Sequence, residues 1–229
     1  MKRRNIALIP AAGVGARFGA GKPKQYVEIA GKTVLQHTLA IFLSCERIDK
    51  VAVVLSPEDT VFQTGTCEKL VVLKTGGETR AQSVCNGLTA LLQRGLLLES
   101  DNILVHDAAR CCLPEEALLR LLDEAGENES GGILAVPVAD TLKRATTAQT
   151  ISETVSRTGL WQAQTPQLFR AGLLQRALDI PDLAEITDEA SAVEKLGARP
   201  LLVQGDTRNL KLTLPQDELI VRLLLQAKH

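Results

Sequence analysis

Short apolar runs rich in Val, Ile and Leu recur along the chain at Ile6 to Ile9, Val51 to Leu55, Leu70 to Leu73, Ile103 to Val105 and Ile133 to Val136. Their length and continuity predict strands buried on both faces. Between them lie stretches with apolar residues at helical spacing: Val34 to Leu43, Ala81 to Leu92 and Pro114 to Ala125, the last opening on Pro114-Glu115-Glu116 as a first helical turn. Strand and helix alternate, which predicts a mostly parallel sheet covered by helices on both faces, with ligands taken where loops leave the carboxyl ends of the strands. We expect one α/β unit over residues 1–229.

From Val138 to Val155 the pattern changes to Asp140-Thr141-Leu142-Lys143-Arg144, then a Thr, Ala and Gln stretch before Ile151. We read an extended two-stranded excursion at about 138–158. Its polarity leaves little to bury against its own core, so we expect an arm packing on another subunit rather than a mobile flap. Beyond it we expect helices at Ala171 to Leu178 and Asp188 to Leu196, strands at Leu201 to Val203 and Leu210 to Leu212, and a last helix with Thr213 and Gln216 as its capping box.

Composition narrows the function. With 229 residues, 45% of them hydrophobic, the chain can bury its own core, and 17 Gly and 9 Pro are ordinary usage. Lys plus Arg (26) nearly balances Asp plus Glu (27), so no net field draws it to nucleic acid or anionic lipid, and any anion must be bound locally. The five cysteines show no metal-ligand spacing, which predicts a reduced, cytoplasmic protein in which Cys111 and Cys112 are small apolar residues rather than a redox pair. The run Ile6 to Ile9 imitates a signal peptide but is shorter than the roughly 7 to 15 residues of an h-region, so we expect a first strand. No apolar stretch of roughly 18 residues exists to cross a bilayer.

The segment from Pro10 to Lys24 follows the first strand directly and combines small residues with cations, the composition of a phosphate site. Glycine and alanine let backbone N–H groups approach anionic oxygens, while Arg17 and Lys24 supply charge and directed donors. Two familiar loops fail. Phe18 stands where a dinucleotide-binding loop needs its third small residue, and Pro23 stands where a Walker A loop needs Ser or Thr on magnesium. Asp107 ends the strand Ile103 to Val105, and a single carboxylate facing the glycine loop suffices to hold magnesium together with substrate phosphates. Its neighbour His106, on the opposite face, is read as structural. The patch Thr75-Gly76-Gly77-Glu78-Thr79 permits close backbone approach, with Ser83 and nearby amides able to read polar base edges and Thr79 able to cap the next helix.

Pro10-Ala11-Ala12-Gly13-x-Gly15-x-Arg17, Pro23-Lys24-Gln25-Tyr26, Gly76-Gly77 with Arg80 and Ser83, Val105 to Arg110, Thr165-Pro166-Gln167, Thr187-Asp188-Glu189-Ala190 and Asn209-x-Lys211 occur in that order. Together they resemble the 2-C-methyl-D-erythritol 4-phosphate cytidylyltransferase family over nearly the whole chain. The resemblance implies a three-layer α/β/α, Rossmann-like sheet of the nucleotide-diphospho-sugar transferase type, and transfer of a cytidylyl group from CTP to methylerythritol phosphate with release of pyrophosphate. It implies that Ala11, Ala12, Gly13, Gly15, Gly77, Glu78 and Ser83 hold CTP, and that Arg17, Lys24 and Lys211 are catalytic. It further implies that Arg110, Thr141, Arg157, Thr165 and Thr187 bind the acceptor and that Asp107 holds Mg2+ or another divalent cation. Thr141 and Arg157 would come from the partner in a homodimer joined by the arm. Cys111 and Glu78 depart from the family, which commonly has Pro and Asp there. Without the motif, Lys211 in the alternating Leu210-Lys211-Leu212 reads as a solvated strand lysine, Thr187 as a helix N-cap, and Thr165-Pro166 as the start of a turn or edge strand. A ribitol 5-phosphate cytidylyltransferase and a non-catalytic CTP sensor remain as alternatives.

Overall fold

The computed structural model describes residues 3–13 and 23–227. Strand β1 (Asn5–Pro10) leads to a 3-10 turn (Lys24–Tyr26), a two-residue hairpin of β2 (Glu28–Ile29) and β3 (Lys32–Thr33), then helix α1 (Val34–Ser44). Strands β4 (Lys50–Val54) and β5 (Leu70–Leu73) precede α2 (Arg80–Gln93), β6 (Asn102–Val105), α3 (Glu115–Ala125) and β7 (Gly132–Pro137). The arm strands β8 (Leu142–Ala145) and β9 (Ile151–Val155) follow, then β10 (Trp161–Arg170), α4 (Ala171–Leu178), α5 (Glu189–Lys195), β11 (Leu201–Gln204) and α6 (Asp217–Gln226).

Seven strands form one sheet in the order β11-β7-β10-β6-β1-β4-β5, with β10 antiparallel to both neighbours and the other pairs parallel. Ile6, Ala7, Leu8 and Ile9 of β1 are all fully buried, as an inner parallel strand covered on both faces requires. The period of two divides the core. Ala7, Ile9, Val51, Val53 and Leu104 pack under α1 and α3, while Ile6, Leu8, Ala52, Val54, Ile103 and Val105 pack under α2, α4 and α5. The result is the expected three-layer α/β/α architecture. From β1 the chain moves outward to β4 and β5, then returns to β6 on the other side, so the crevice between the carboxyl ends of β1 and β6 is a topological switch point.

The expected two-stranded excursion is present: β8 and β9 pair with each other in a separate two-stranded sheet, and most of their residues are exposed. All five cysteines are free, and Cys111 and Cys112 are buried with Val221 and Leu225 of α6. Among the described residues no helix is long and apolar enough to cross a membrane.

Four expectations need correction. Residues Leu210 to Leu212 form no strand; they belong to a loop crossing the carboxyl end of the sheet, attached by the Leu212 N–H bond to the Ala109 carbonyl. Leu212 is buried there while Lys211 faces the other way, so the sequence alternated because the loop has two sides. Thr213 and Gln216 make no capping box; the Asp217 carboxylate instead accepts the Thr213 and Leu214 N–H groups at 2.8 Å each. Pro114 is the N-cap of α3 rather than its first helical residue. Thr165-Pro166 lies inside β10, between β6 and β7, where the register shifts between Ala163 and Gln167 and so accommodates a proline without an N–H.

Candidate functional site

A cavity of about 430 Å3 opens at the switch point. Its walls come from three loops that leave strand ends. Ala11, Ala12 and Gly13 follow β1, Gly77 to Thr79 precede α2 and Arg80 and Ser83 lie in its first turn, and Asp107 to Ala109 follow β6, with Lys24, Lys211 and Thr213 at the rim. Among the described residues a Cβ added to Gly13 would meet nothing within 4 Å. The open space suits a ligand that approaches the backbone closely. Gly76 is constrained from within: a Cβ would stand 2.2 Å from Ala12 Cβ and 2.7 Å from the Leu55 carbonyl oxygen. That close approach brings the loop after β5 against the loop after β1.

Local hydrogen bonds shape the second loop. Thr79 caps α2 by accepting from the Gln82 N–H, as expected, and the Ser83 hydroxyl accepts from the Gly77 N–H at 3.1 Å and donates to the Thr79 carbonyl at 2.9 Å. The Asn86 carboxamide donates to the Thr75 carbonyl at 2.8 Å. Ser83 therefore both lines the cavity and fixes the backbone of Gly77, while Glu78 is exposed at the cavity wall.

The electrostatic centre is Asp107. Arg80 Nε donates to its Oδ1 at 2.7 Å, Lys211 Nζ lies 2.8 Å from its Oδ2, and Arg110 Nε lies 3.7 Å from Oδ2. Burial alone would raise the pKa of this carboxyl, but the Arg80 and Lys211 charges outweigh it and hold the group well below the usual carboxylate range. Arg80 is itself clamped by both oxygens of Glu189, at 2.6 and 2.9 Å. Burial works against its charge, and the Glu189 and Asp107 carboxylates overcome that and raise its pKa. Glu189 is 1% exposed in the first turn of α5, a position that spacing alone reads as a helix-start acid. Its pairing with Arg80, 109 residues away, is the functional feature the sequence did not reveal.

Beneath the carboxylate lies a polar network. The Asp107 N–H donates to Thr165 Oγ1 at 3.1 Å, and Thr165 Oγ1 is 3.0 Å from His106 Nδ1. The Arg110 carbonyl, 3.0 Å from Nε2, can only accept, so the neutral ring carries its proton on Nε2 and Nδ1 accepts the Thr165 hydroxyl. His106 is fully buried, and loss of water drives its pKa down to about 4, against opposing hydrogen bonding to Arg110 and the Asp107 charge. The structural reading of His106 fits this geometry. Asn209, fully buried, donates to the Thr165 carbonyl at 2.7 Å and accepts Arg110 through its own carbonyl at 2.6 Å. It anchors the loop that carries Lys211, a lysine that is exposed as its neighbours suggested but lies in a loop rather than a strand and pairs with Asp107.

Lys24, Ala11, Ala12, Gly13, Gly77, Glu78, Ser83, Asp107 and Lys211 therefore share one cavity. Lys24 Nζ donates to the Leu212 carbonyl at 3.2 Å, which ties it to the Lys211 loop. Arg110 and Thr165 stand behind Asp107. Thr187 is exposed just before α5, whose cap is Asp188 in a capping box with Ser191, so the cap expected at Thr187 belongs to its neighbour. Thr141 and Arg157 are exposed on or beside the arm, outside the lining of this cavity. Gly15 and Arg17 lie outside the described residues. Asp107 offers a divalent cation a hard oxygen donor at the cavity wall, its Oδ1 already paired with Arg80 and its Oδ2 with Lys211 and, at 3.7 Å, Arg110. Among the described residues no group of three or more His, Cys, Asp and Glu side chains forms a separate metal site.

Comparison with known proteins gives consistent matches. The family described as 2-C-methyl-D-erythritol 4-phosphate cytidylyltransferase (IspD) matches residues 5–227. The protein of that name from Neisseria gonorrhoeae strain FA 1090 is 67% identical, covering 99% of this chain and 100% of the relative. The one from Chromobacterium violaceum is 51% identical, covering 97% and 98%. A crystal structure of a 4-diphosphocytidyl-2C-methyl-D-erythritol synthase superimposes with a TM-score of 0.86 at 62% identity, covering 98% of this chain and 100% of the other.

Proposed function

This chain belongs to the 2-C-methyl-D-erythritol 4-phosphate cytidylyltransferase family, and from that premise we propose how its residues divide the work of the reaction. The enzyme transfers the cytidylyl group of CTP to methylerythritol phosphate in isoprenoid precursor synthesis. An oxygen of the acceptor phosphate attacks the α phosphorus of CTP, the bond from that phosphorus to the bridging oxygen breaks, and pyrophosphate leaves with the bonding electron pair. The nucleophile is already anionic and needs no strong base. Catalysis must bring two polyanions together and neutralise the charge that gathers at the α phosphorus.

The observation that carries the assignment is the convergence of Lys24 and Lys211 with Asp107 on the cavity bounded by Ala11 to Gly13 and Gly77 to Ser83. The small residues Ala11, Ala12, Gly13 and Gly15 receive the triphosphate through the backbone, and Gly77, Glu78 and Ser83 receive the cytosine. Arg17 and Lys24 stabilise the developing charge. Lys211, held by Asp107, and Arg110, held by the Asn209 carbonyl, position the acceptor phosphate together with Thr165 and Thr187. Asp107 would hold Mg2+ jointly with the CTP phosphates, and a bound ion would lower the repulsion between the two substrates. The exposed arm completes the acceptor site of a second subunit through Thr141 and Arg157, which makes the working unit a homodimer.

Incubation of the purified protein with CTP and either methylerythritol phosphate or ribitol 5-phosphate, with pyrophosphate release as the readout, tests this reading. Turnover with methylerythritol phosphate is expected. Turnover confined to ribitol 5-phosphate, or tight CTP binding with no pyrophosphate released from either acceptor, would overturn it.

A further inference from the structure

Gln25 stands next to Lys24 in the 3-10 turn and is 5% exposed. Its carboxamide reaches back to the loop after β1. Nε2 donates to the Ala11 carbonyl at 2.9 Å and to the Gly13 carbonyl at 2.8 Å, so both hydrogens of the group are used. The Ala11 N–H is already bonded to the Val54 carbonyl at 2.8 Å. Within a trans peptide the C=O and the following N–H point in opposite directions. A carboxamide that captures the Ala11 carbonyl therefore turns the Ala12 N–H away from itself, and its hold on the Gly13 carbonyl fixes a second point of the same loop.

Carbonyl oxygens turned toward a polyphosphate would repel it, whereas N–H groups attract it. We propose that Gln25 is a positioning residue for the triphosphate: by holding the Ala11 and Gly13 carbonyls it orients the peptide units that meet the phosphates and fixes them relative to Lys24. This rests on the reading of the Ala11 to Gly13 loop as the triphosphate site. Two features separate the role from ordinary packing. Among the described residues nothing lies within 4 Å of a Cβ placed at Gly13, so within them the two bonds brace backbone that no side chain supports. The brace also joins the two sides of the segment 14–22, from Gly13 before it to Gln25 after it.

The test uses full-length Gln25→Met, of similar volume but without donors, and Gln25→Glu, which replaces the donors with an acceptor. Steady-state pyrophosphate release gives KM for CTP and for methylerythritol phosphate. Inhibition constants are measured for inorganic tripolyphosphate and for cytidine, and circular dichroism reports folding. We expect both variants to raise KM for CTP and weaken tripolyphosphate inhibition by about tenfold or more, with cytidine inhibition and KM for the acceptor within twofold of wild type. If Gln25→Glu fails to fold, Gln25→Met alone decides. Tripolyphosphate inhibition within twofold of wild type, or equal losses for tripolyphosphate, cytidine and acceptor, would overturn the role. Wild-type enzyme that turns over but is not inhibited by tripolyphosphate would instead show that the loop reading itself is wrong, and the role of Gln25 would fall with it.

Discussion

His106 offers a test of the buried network by proton linkage. It is fully buried under the Asp107 turn, accepts the Thr165 hydroxyl on Nδ1 and donates from Nε2 to the Arg110 carbonyl. Both nitrogens are satisfied only when the ring is neutral, and its pKa is pushed down to about 4. In the unfolded chain the same ring takes up a proton at its ordinary value of about 6.5. Between these values the unfolded state binds the additional proton, so this contribution to stability is complete above about 6.5 and is lost as the pH falls toward 4. At about 1.4 kcal/mol per pH unit, the gap amounts to about 3 kcal/mol. Urea unfolding followed by circular dichroism, at half-unit steps from pH 7.5 to 4, would be compared for wild type and His106→Gln. The carboxylates titrate alike in both proteins, so the difference isolates the imidazole. Wild type should be the more stable at pH 7.5, where the ring packs against Phe42 with centroids 5.0 Å apart, and its advantage should shrink by about 3 kcal/mol by pH 4. A difference constant within about 0.5 kcal/mol across that range, or one that widens on acidification, would refute the assignment of a neutral, network-bound histidine.

Arg17→Ala and Lys24→Ala should each lower turnover by roughly 10²-fold or more while leaving the circular dichroism spectrum unchanged, because each removes a donor to developing charge; unchanged turnover would remove the residue from the mechanism. Arg157→Ala should raise KM for methylerythritol phosphate more than KM for CTP. Mixing that variant with Lys24→Ala under conditions of subunit exchange should restore activity, since only a mixed dimer pairs an intact Lys24 with an intact arm; no restoration would place Arg157 outside the partner's site. Glu189→Gln keeps the volume but breaks the bidentate clamp on Arg80, and should cost about 1 to 3 kcal/mol in urea unfolding, discounted because the Arg80 side chain is partly exposed and retains Asp107. A stability equal to wild type would show the clamp to be energetically idle.

Several features were legible in the chain because they depend on residues close together in it. A continuous run such as Ile6 to Ile9 can be stable only with both faces covered, and the 3.6-residue period of the segments between runs supplies the cover. The isolated polar stretch between Val138 and Val155 cannot build a core, and β8 with β9 does stand apart. The glycine-rich composition after β1 and the acid after β6 were visible for the same reason. Strand β10 was missed because Gln164, Thr165 and Gln167 are buried polar residues rather than an apolar run. They satisfy one another and the neighbouring loops: Gln167 accepts the Ala190 N–H at 2.9 Å and donates to Asp188 at 2.9 Å. No local period reports such a strand.

The amino-acid order alone determined the layers, the placing of ligands at the carboxyl ends of the strands and the phosphate character of the loop after β1, since periodicity and loop composition act over a few residues. Only the tertiary structure decided that Lys211 pairs with Asp107, that Arg80 joins α5 to the end of β6 through Glu189, and that Gln25 closes back on Ala11 and Gly13. Those pairings arise from the order in which the strands assemble. A charge or carboxamide finds its partner through the shape of the sheet, and desolvation favours that choice, because leaving a buried polar group unpaired is costly.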